Sequence, residues 1–286
     1  MLRRPRYTYG IFRYILNRLP GNAAYQTARR LAHYLIEIDP QATEYMQMTL
    51  GLQAGNHDHL RDMQTMEMQD ILDTFVLAKH SERVHVEFDG LDHIHKLRRD
   101  KKKVLLTTGH FGRYWPVGLG LHRAGLATTA VVKDHLETNI HGLPPAEFSF
   151  RRWKLHVMQT IWGAPFHQAG NNPKTLLRTS EGPPVVSLFD VPVEPKTARA
   201  TTHRFFNQTI RINPNPARLA QVRDAYLVPF INRGAQDSRF KYTIFEPMRA
   251  RDFELADLNQ RLVSMLETEI QHNPAAWWLW PALPHF

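Results

Sequence analysis

The 286-residue chain is 43% hydrophobic, which is enough to bury a core and excludes wholesale disorder. It contains no cysteine, which excludes a disulfide framework and any cysteine-based zinc or redox site. The formal charge of +9 indicates a basic surface, which suits nucleic acid, an anionic bilayer or a phosphorylated substrate. Charge alone does not choose among these partners.

The first 80 residues are predicted to form a helical region. The apolar residues of segment 11–19 share one helical face, and a run of basic residues precedes them. Such a helix would either lie on a membrane surface or dock its apolar stripe on the core. Further helices are predicted over residues 25–35 and 63–75. No segment reaches the roughly 20 apolar residues of a membrane span, and no signal-peptide core follows the basic start. We therefore expect a peripheral, membrane-associating region in a protein that is not exported.

Residues 81–286 alternate short apolar runs with helical segments. Strands are predicted at 84–88, 104–108, 129–132, 184–189, 225–231 and 242–245, and helices at 217–223 and 253–271. This alternation predicts an α/β core in which a mixed sheet is flanked by helices. The core and the N-terminal helical region are expected to form one structural unit.

The segment 105–115 contains the strongest candidate for chemistry. An apolar strand runs into Gly109, His110, Phe111 and Gly112, and a helix is predicted from Tyr114. Ligands of open α/β sheets bind beyond the carboxyl ends of strands, and glycines allow a substrate to approach closely. A histidine can accept a proton near neutral pH. Its position alone leaves a catalytic and a structural role both open.

Several segments, in the same order along the chain, resemble motifs of the lipid A biosynthesis acyltransferases, which are lysophospholipid-type acyltransferases. The histidine–phenylalanine–glycine segment resembles the first motif of that family, in which an acidic residue follows the histidine five positions later. The other segments that carry the resemblance are 86–93, 182–190, 205–209, 216–220, 228–230 and the tryptophan-rich 277–280.

The resemblance implies a glycerolipid-acyltransferase-like fold and an O-acyltransferase without a cofactor. His110 would act as general base on a hydroxyl of a glycolipid or related amphipathic acceptor. That hydroxyl would attack a fatty acyl thioester carried by acyl carrier protein or coenzyme A. The resemblance also implies lipid A biosynthesis at the cytoplasmic face of the inner membrane, with peripheral binding to an anionic membrane surface.

The sequence departs from the family pattern where the orienting acid is expected. Trp115 stands five residues after His110, and an indole N–H cannot accept the proton of a histidine nitrogen. Another acid could orient the ring, and the candidates are Asp134, Glu137, Asp190 and Glu194; Asp190 ends the later strand of the resemblance. Two alternatives remain, namely orientation by a backbone carbonyl, or a non-catalytic homologue that binds lipid or acyl carrier protein.

The predicted catalytic residues are thus His110 and Asp190. The predicted substrate-binding residues are Gly112, Arg113, Trp115, Arg151, Arg152 and Arg218, because arginine side chains suit phosphorylated head groups. A solvated basic face is an equal alternative for Arg151 and Arg152. No metal site is expected, because the two His-x-His pairs have no further ligands at suitable spacing. No nucleic-acid-binding module is recognisable.

Overall fold

The structure is a computed structural model, and it describes residues 9, 19, 21–52, 58–133, 139, 142–169, 176–193 and 200–286. Within the described residues, three helices precede the sheet: α1 (Gly21–Leu35), α2 (Pro40–Leu50) and α3 (Asp58–His80). Helix α1 buries the predicted face, since Tyr25, Ala28 and Ala32 are at most 1% exposed. Most of segment 11–19 lies outside the described residues, so its membrane anchoring stays a prediction.

The strands form a mixed sheet with the order β1–β9–β8–β2–β5–β3–β4, in which the short strand β10 also pairs with β8. Neighbouring strands run parallel, except that β8 is antiparallel to β9 and β10. Strands β6 and β7 form a separate antiparallel hairpin. The bounds are β1 (His85–Asp89), β2 (Val104–Thr108), β3 (Thr129–Lys133), β4 (His167–Ala169), β5 (Val185–Leu188), β6 (Thr201–Phe205), β7 (Gln208–Ile212), β8 (Tyr226–Gln236), β9 (Arg239–Ile244) and β10 (Met248–Arg249).

Helices cover both faces of this sheet. They are α4 (Leu91–Arg99), α5 (Val117–Arg123), α6 (Pro145–Trp162), α7 (Asn215–Arg223) and α8 (Leu255–His272), with short 3₁₀ helices that include Pro274–Ala276 and Trp280–His285. Side chains of a strand alternate between faces. Leu105 of β2 therefore packs with α7 and α8, whereas Val104 and Leu106 pack with α4, α5 and α6. Burial on both faces explains the continuous apolar run of β2.

The predicted fold class is confirmed: a mixed sheet is flanked by helices, with helices preceding it. Several details differ from the sequence prediction; for example, strands β4, β6 and β7 were not predicted, and β9 begins at Arg239 rather than at residue 242. The helix after the histidine motif begins at Val117 rather than Tyr114, and β8 continues to Gln236 rather than ending at residue 231. Among the described residues, no helix is both long and apolar enough to cross a membrane.

Candidate active site

His110 and Asp190 meet because they follow neighbouring parallel strands. In the register of β2 and β5, Thr108 pairs with Leu188, the last residue of its strand. His110 and Asp190 each lie two residues further along the chain. The carboxyl ends of parallel strands lie at one edge of a sheet, so both side chains reach the same crevice.

The two side chains form a close hydrogen-bonded pair. The Nδ1 atom of His110 lies 2.7 Å from Oδ1 of Asp190, and the backbone N–H of His110 donates to Oδ2 at 2.8 Å. An ionised carboxylate only accepts hydrogen bonds, so Nδ1 carries the proton in this pair. The other ring nitrogen, Nε2, is then free to accept a proton. The His110 side chain is 23% exposed, which leaves the ring open to a substrate.

Asp190 is 1% exposed, and a buried carboxylate is costly unless donors surround it. Its third donor is the indole Nε1–H of Trp277, at 2.9 Å from Oδ2. Three N–H groups thus converge on one carboxylate, and hydrogen bonds to a charged group are stronger than neutral ones. The tryptophan-rich segment was noticed in the sequence only as part of a resemblance, and its contact with Asp190 was not foreseen.

The C-terminal segment also fixes the backbone of the histidine loop. The backbone N–H of Trp278 donates to the carbonyl of His110 at 2.9 Å, and that of Gly112 donates to the carbonyl of Ala276 at 2.7 Å. The indole N–H of Trp278 donates to the carbonyl of Gly112 at 2.8 Å. Residues that are far apart in sequence therefore hold the loop in one conformation.

Two glycines are required by close packing in this loop. A Cβ atom on Gly109 would lie 2.9 Å from Oδ2 of Asp190 and 3.1 Å from the side chain of Leu266. Gly112 has a φ of +60°, and a Cβ there would lie 2.7 Å from Oδ1 of Asn232. Glycine at these positions lets the carboxylate and the amide approach the main chain.

Tyr114 packs edge-on against the His110 ring, with the ring centroids 5.7 Å apart. Burial raises the pKa of Tyr114 above its ordinary value, and the nearby Asp70 and Asp190 charges add to this effect. The phenol therefore stays neutral at physiological pH.

Trp115, one of the predicted substrate-binding residues, lies in the core, and its role in substrate binding stays a prediction. Its side chain is 0% exposed, and its Nε1–H donates to Oδ1 of Asp70 at 2.6 Å. Lys154 forms an ion pair with the same carboxylate and lies 5.0 Å from the centre of the Trp115 ring. The chain enters no helix before Val117, so the fifth residue after His110 is not on a helical turn beside the imidazole.

Arg113 is also buried, and its role in substrate binding stays a prediction. It is 3% exposed, and its Nε donates to Oδ2 of Asp73 at 2.5 Å. The hydroxyl of Tyr25 donates to the same carboxylate at 2.8 Å. Burial raises the pKa of Tyr25 well above its ordinary value, which keeps this donor protonated. The Nη1 atom of Arg113 has no hydrogen-bond partner among the described residues.

The remaining predicted arginines lie at the surface. Arg151 pairs with Glu147 one helical turn away, Arg152 lies 5.9 Å from the ring of Phe148, and Arg218 is exposed on α7. In the part of the chain that the structure describes, no hydrogen bond or ion pair links these arginines to His110 or Asp190. The other acids considered as partners of His110, namely Asp134, Glu137 and Glu194, lie outside the described residues.

Comparison with solved structures finds a similarity to the 1-acyl-sn-glycerophosphate (LPA) acyltransferase PlsC from Thermotoga maritima. The match covers 87% of this chain and 98% of that chain, with a TM-score of 0.38 and 10% sequence identity. No protein-family model and no curated protein matches the sequence. Because identity and TM-score are this low, the likeness carries no inference about the reaction or substrate. Membership of the lipid A biosynthesis acyltransferases stays a prediction.

Proposed function

We propose that the chain is an O-acyltransferase that moves a fatty acyl group from a thioester donor to a hydroxyl of an amphipathic lipid acceptor. His110 is the general base, and Asp190 orients it. The observation that carries the proposal is the 2.7 Å contact between Nδ1 of His110 and a carboxylate that is almost wholly buried. The ordered motifs that resemble an acyltransferase family give the reaction class.

The proposed reaction uses the tautomer of His110 that has its proton on Nδ1, beside Asp190, and leaves Nε2 free to accept a proton. Nε2 of His110 takes the proton of the acceptor hydroxyl while its oxygen attacks the thioester carbonyl and forms the new C–O bond. Collapse of the tetrahedral intermediate breaks the C–S bond, and the departing thiolate receives the proton from Nε2. Asp190 stabilises the imidazolium that exists between these steps. No covalent enzyme intermediate is required, which is compatible with a chain that has no cysteine.

The motif resemblance favours acyl carrier protein or coenzyme A as the donor and a glycolipid-like acceptor, with lipid A precursors as the first candidates. It also favours peripheral binding at the cytoplasmic face of the inner membrane. The basic charge of the chain is compatible with an anionic membrane surface.

The test is acyl transfer by the purified chain, supplied with long-chain acyl carrier protein or acyl coenzyme A and a panel of glycolipid acceptors, and followed by mass spectrometry. We expect His110→Ala to abolish transfer. We expect Asp190→Asn to lower kcat by roughly three to four orders of magnitude, because an amide favours the wrong tautomer; the same change costs about 10⁴ in a serine protease triad.

The matched controls are His85→Ala and Asp224→Asn, which change a histidine and an aspartate away from the crevice. Both should transfer at the wild-type rate. Acyl transfer by the His110→Ala variant would show that His110 is not the general base.

The non-catalytic alternative rested on the tryptophan at the position of the expected acid. That alternative has less support because a different carboxylate, that of Asp190, lies within hydrogen-bond distance of His110. Wild-type protein that binds acyl carrier protein or lipid but transfers to no acceptor would favour this alternative instead.

A further inference from the structure

A cavity of about 510 Å³ lies beside the histidine loop. Helix α3 supplies one wall through Asp62, Thr65, Met66 and Gln69, which share a helical face. The other walls are residues 111–113 of the loop, 232–234 of β8, and the segment from the end of α8 to residue 276. The volume lies in the range of pockets that bind small ligands.

The cavity lies at the same edge of the sheet as the His110–Asp190 pair. In the register of β2 and β8, Thr107 pairs with Pro229, so Asn232 lies level with His110. Asp190 approaches the loop from β5 on one side, and the cavity lies on the β8 side. His110 does not line the cavity, but the next residue, Phe111, does.

The charges around the cavity do not suit a phosphate. Arg113 is paired with Asp73, and Arg233 is paired with Glu269 at 2.8 Å. Asp62 adds a further carboxylate to the lining. Among the described lining residues, each arginine therefore has its own anion, and a phosphate would meet carboxylates without an unpaired guanidinium to balance it.

The polar groups of the lining suit hydroxyls. Thr65, Gln69 and Asn273 line the cavity and carry groups that donate and accept hydrogen bonds. A hydroxyl also does both, so an array of hydroxyls matches this mixed lining.

We propose that the cavity binds the uncharged, polyhydroxylated head group, a sugar or polyol without phosphate, of the lipid acceptor. The identification of this ligand as the acceptor rests on the proposed acyl transfer, and it replaces the phosphorylated lipid A precursors as the first candidate acceptors. Binding of the head group itself is independent of that reaction and can be measured without a donor.

The experiment compares octyl β-glucoside with octyl phosphate, both below their micellar concentrations, by titration calorimetry. We expect the glucoside to bind the wild-type chain at least about fivefold more tightly, since a lost or added hydrogen bond changes affinity by about that factor. Gln69→Leu should weaken glucoside binding by about fivefold, because it removes a hydrogen-bonding group from the cavity wall. Thr65→Phe should abolish binding by filling the cavity. Gln47→Leu, at a half-buried glutamine of α2 outside the cavity, should leave the affinity unchanged.

Equal or tighter binding of octyl phosphate would overturn the proposal, as would glucoside binding that Gln69→Leu leaves unchanged. Because Gln69→Leu alters only one partly buried side chain, the test holds even if Thr65→Phe does not fold. Glucoside binding that depends on Gln69, without any acyl transfer, would support head-group binding in the cavity and would contradict the proposed acyl transfer. Transfer that requires His110 but is unchanged in Gln69→Leu would support the transferase and overturn the cavity assignment.

Discussion

Asp190 is the residue on which the geometry of the site depends most directly. It takes hydrogen bonds from the ring and backbone of His110 and from Trp277, while it is excluded from water. Each donor stabilises the ionised carboxylate, and the ionised carboxylate fixes the imidazole tautomer. Changes that leave both catalytic side chains in place should therefore still alter activity.

Gly109→Ala tests the close approach of Asp190 to the loop. The new methyl group would lie 2.9 Å from Oδ2 of Asp190, so the carboxylate must move. We expect kcat to fall at least about tenfold, because small misplacements of catalytic groups are costly. The control is Gly182→Ala, where the nearest atom to the added Cβ is 3.7 Å away. Equal activities of the two variants would show that the close approach has no catalytic importance.

Trp277→Phe removes the indole donor but keeps an aromatic ring. We expect kcat to fall by roughly tenfold, because a hydrogen bond to a charged group is worth about 1.5–3 kcal/mol. Because the indole acts on the His110–Asp190 pair and not on the substrate, kcat should fall while KM stays unchanged.

Trp280→Phe is the matched control for this change, because Trp280 is equally buried and donates to the carbonyl of Pro274 instead. Its kcat and KM should equal those of the wild type. A purely structural role of Trp277 would change KM as well as kcat in Trp277→Phe.

Among the elements, helix α3 contacts two residues that follow the histidine motif, Arg113 and Trp115. Asp70 accepts from Trp115, and Asp73 pairs with Arg113. On another face of the helix, Glu67 has its pKa raised to about 7, mainly by burial and then by the charge of Asp70. A raised pKa means that the folded state holds this proton more tightly than the unfolded chain, in which a glutamate titrates near about 4.3.

The stability of the protein should consequently fall as the pH rises from about 5 through about 7, because ionised Glu67 is disfavoured in the fold. Glu67→Gln removes this effect, so its free energy of unfolding should exceed that of the wild type by roughly 1–3 kcal/mol at pH 8. The difference should be much smaller at pH 5. Urea unfolding at a series of pH values measures it, with exposed Glu44→Gln as control. Parallel stability curves for wild type and Glu67→Gln would contradict the assignment.

At the scale of the whole molecule, a buried network joins the N-terminal helices to the catalytic core. Asp73 of α3 binds Arg113 of the loop and Tyr25 of α1, and the hydroxyl of Tyr242 in β9 donates to the carbonyl of Arg113 at 2.7 Å. Helices, loop and sheet thus share one set of polar contacts. We expect the N-terminal helices to be needed for the site to keep its shape.

Breaking the Asp73–Arg113 pair should destabilise the fold strongly, because the remaining charge is left buried. Asp73→Leu and Arg113→Met should each cost about 3–5 kcal/mol, and the double variant should cost clearly less than their sum. Urea denaturation measures all three variants. The exposed Arg249–Asp224 pair is the control, and Asp224→Asn should leave the unfolding midpoint nearly unchanged. Additive costs would show that the two charges do not interact.

Much of the fold could be predicted because local patterns determine it. The apolar run of residues 104–108 requires a strand that is buried on both faces, and α1 and α8 follow the helical spacing of their apolar residues. The strand and the two helices depend on side-chain chemistry over a few neighbouring residues, so the sequence alone determined them. His110, and Asp190 as one of its possible partners, were indicated only by the resemblance to a family's motifs.

Only the tertiary structure decided which of these side chains meet. Strands β2 and β5 are separated by 76 residues, and their parallel pairing brings Asp190 to His110. Trp277, at the other end of the chain, reaches the same carboxylate. Trp115 and Arg113 were predicted to bind substrate, and the structure places both in the core, where they contact Asp70 and Asp73 of α3. Such contacts depend on the register of strands and on helix packing, which act over distances that no local pattern specifies.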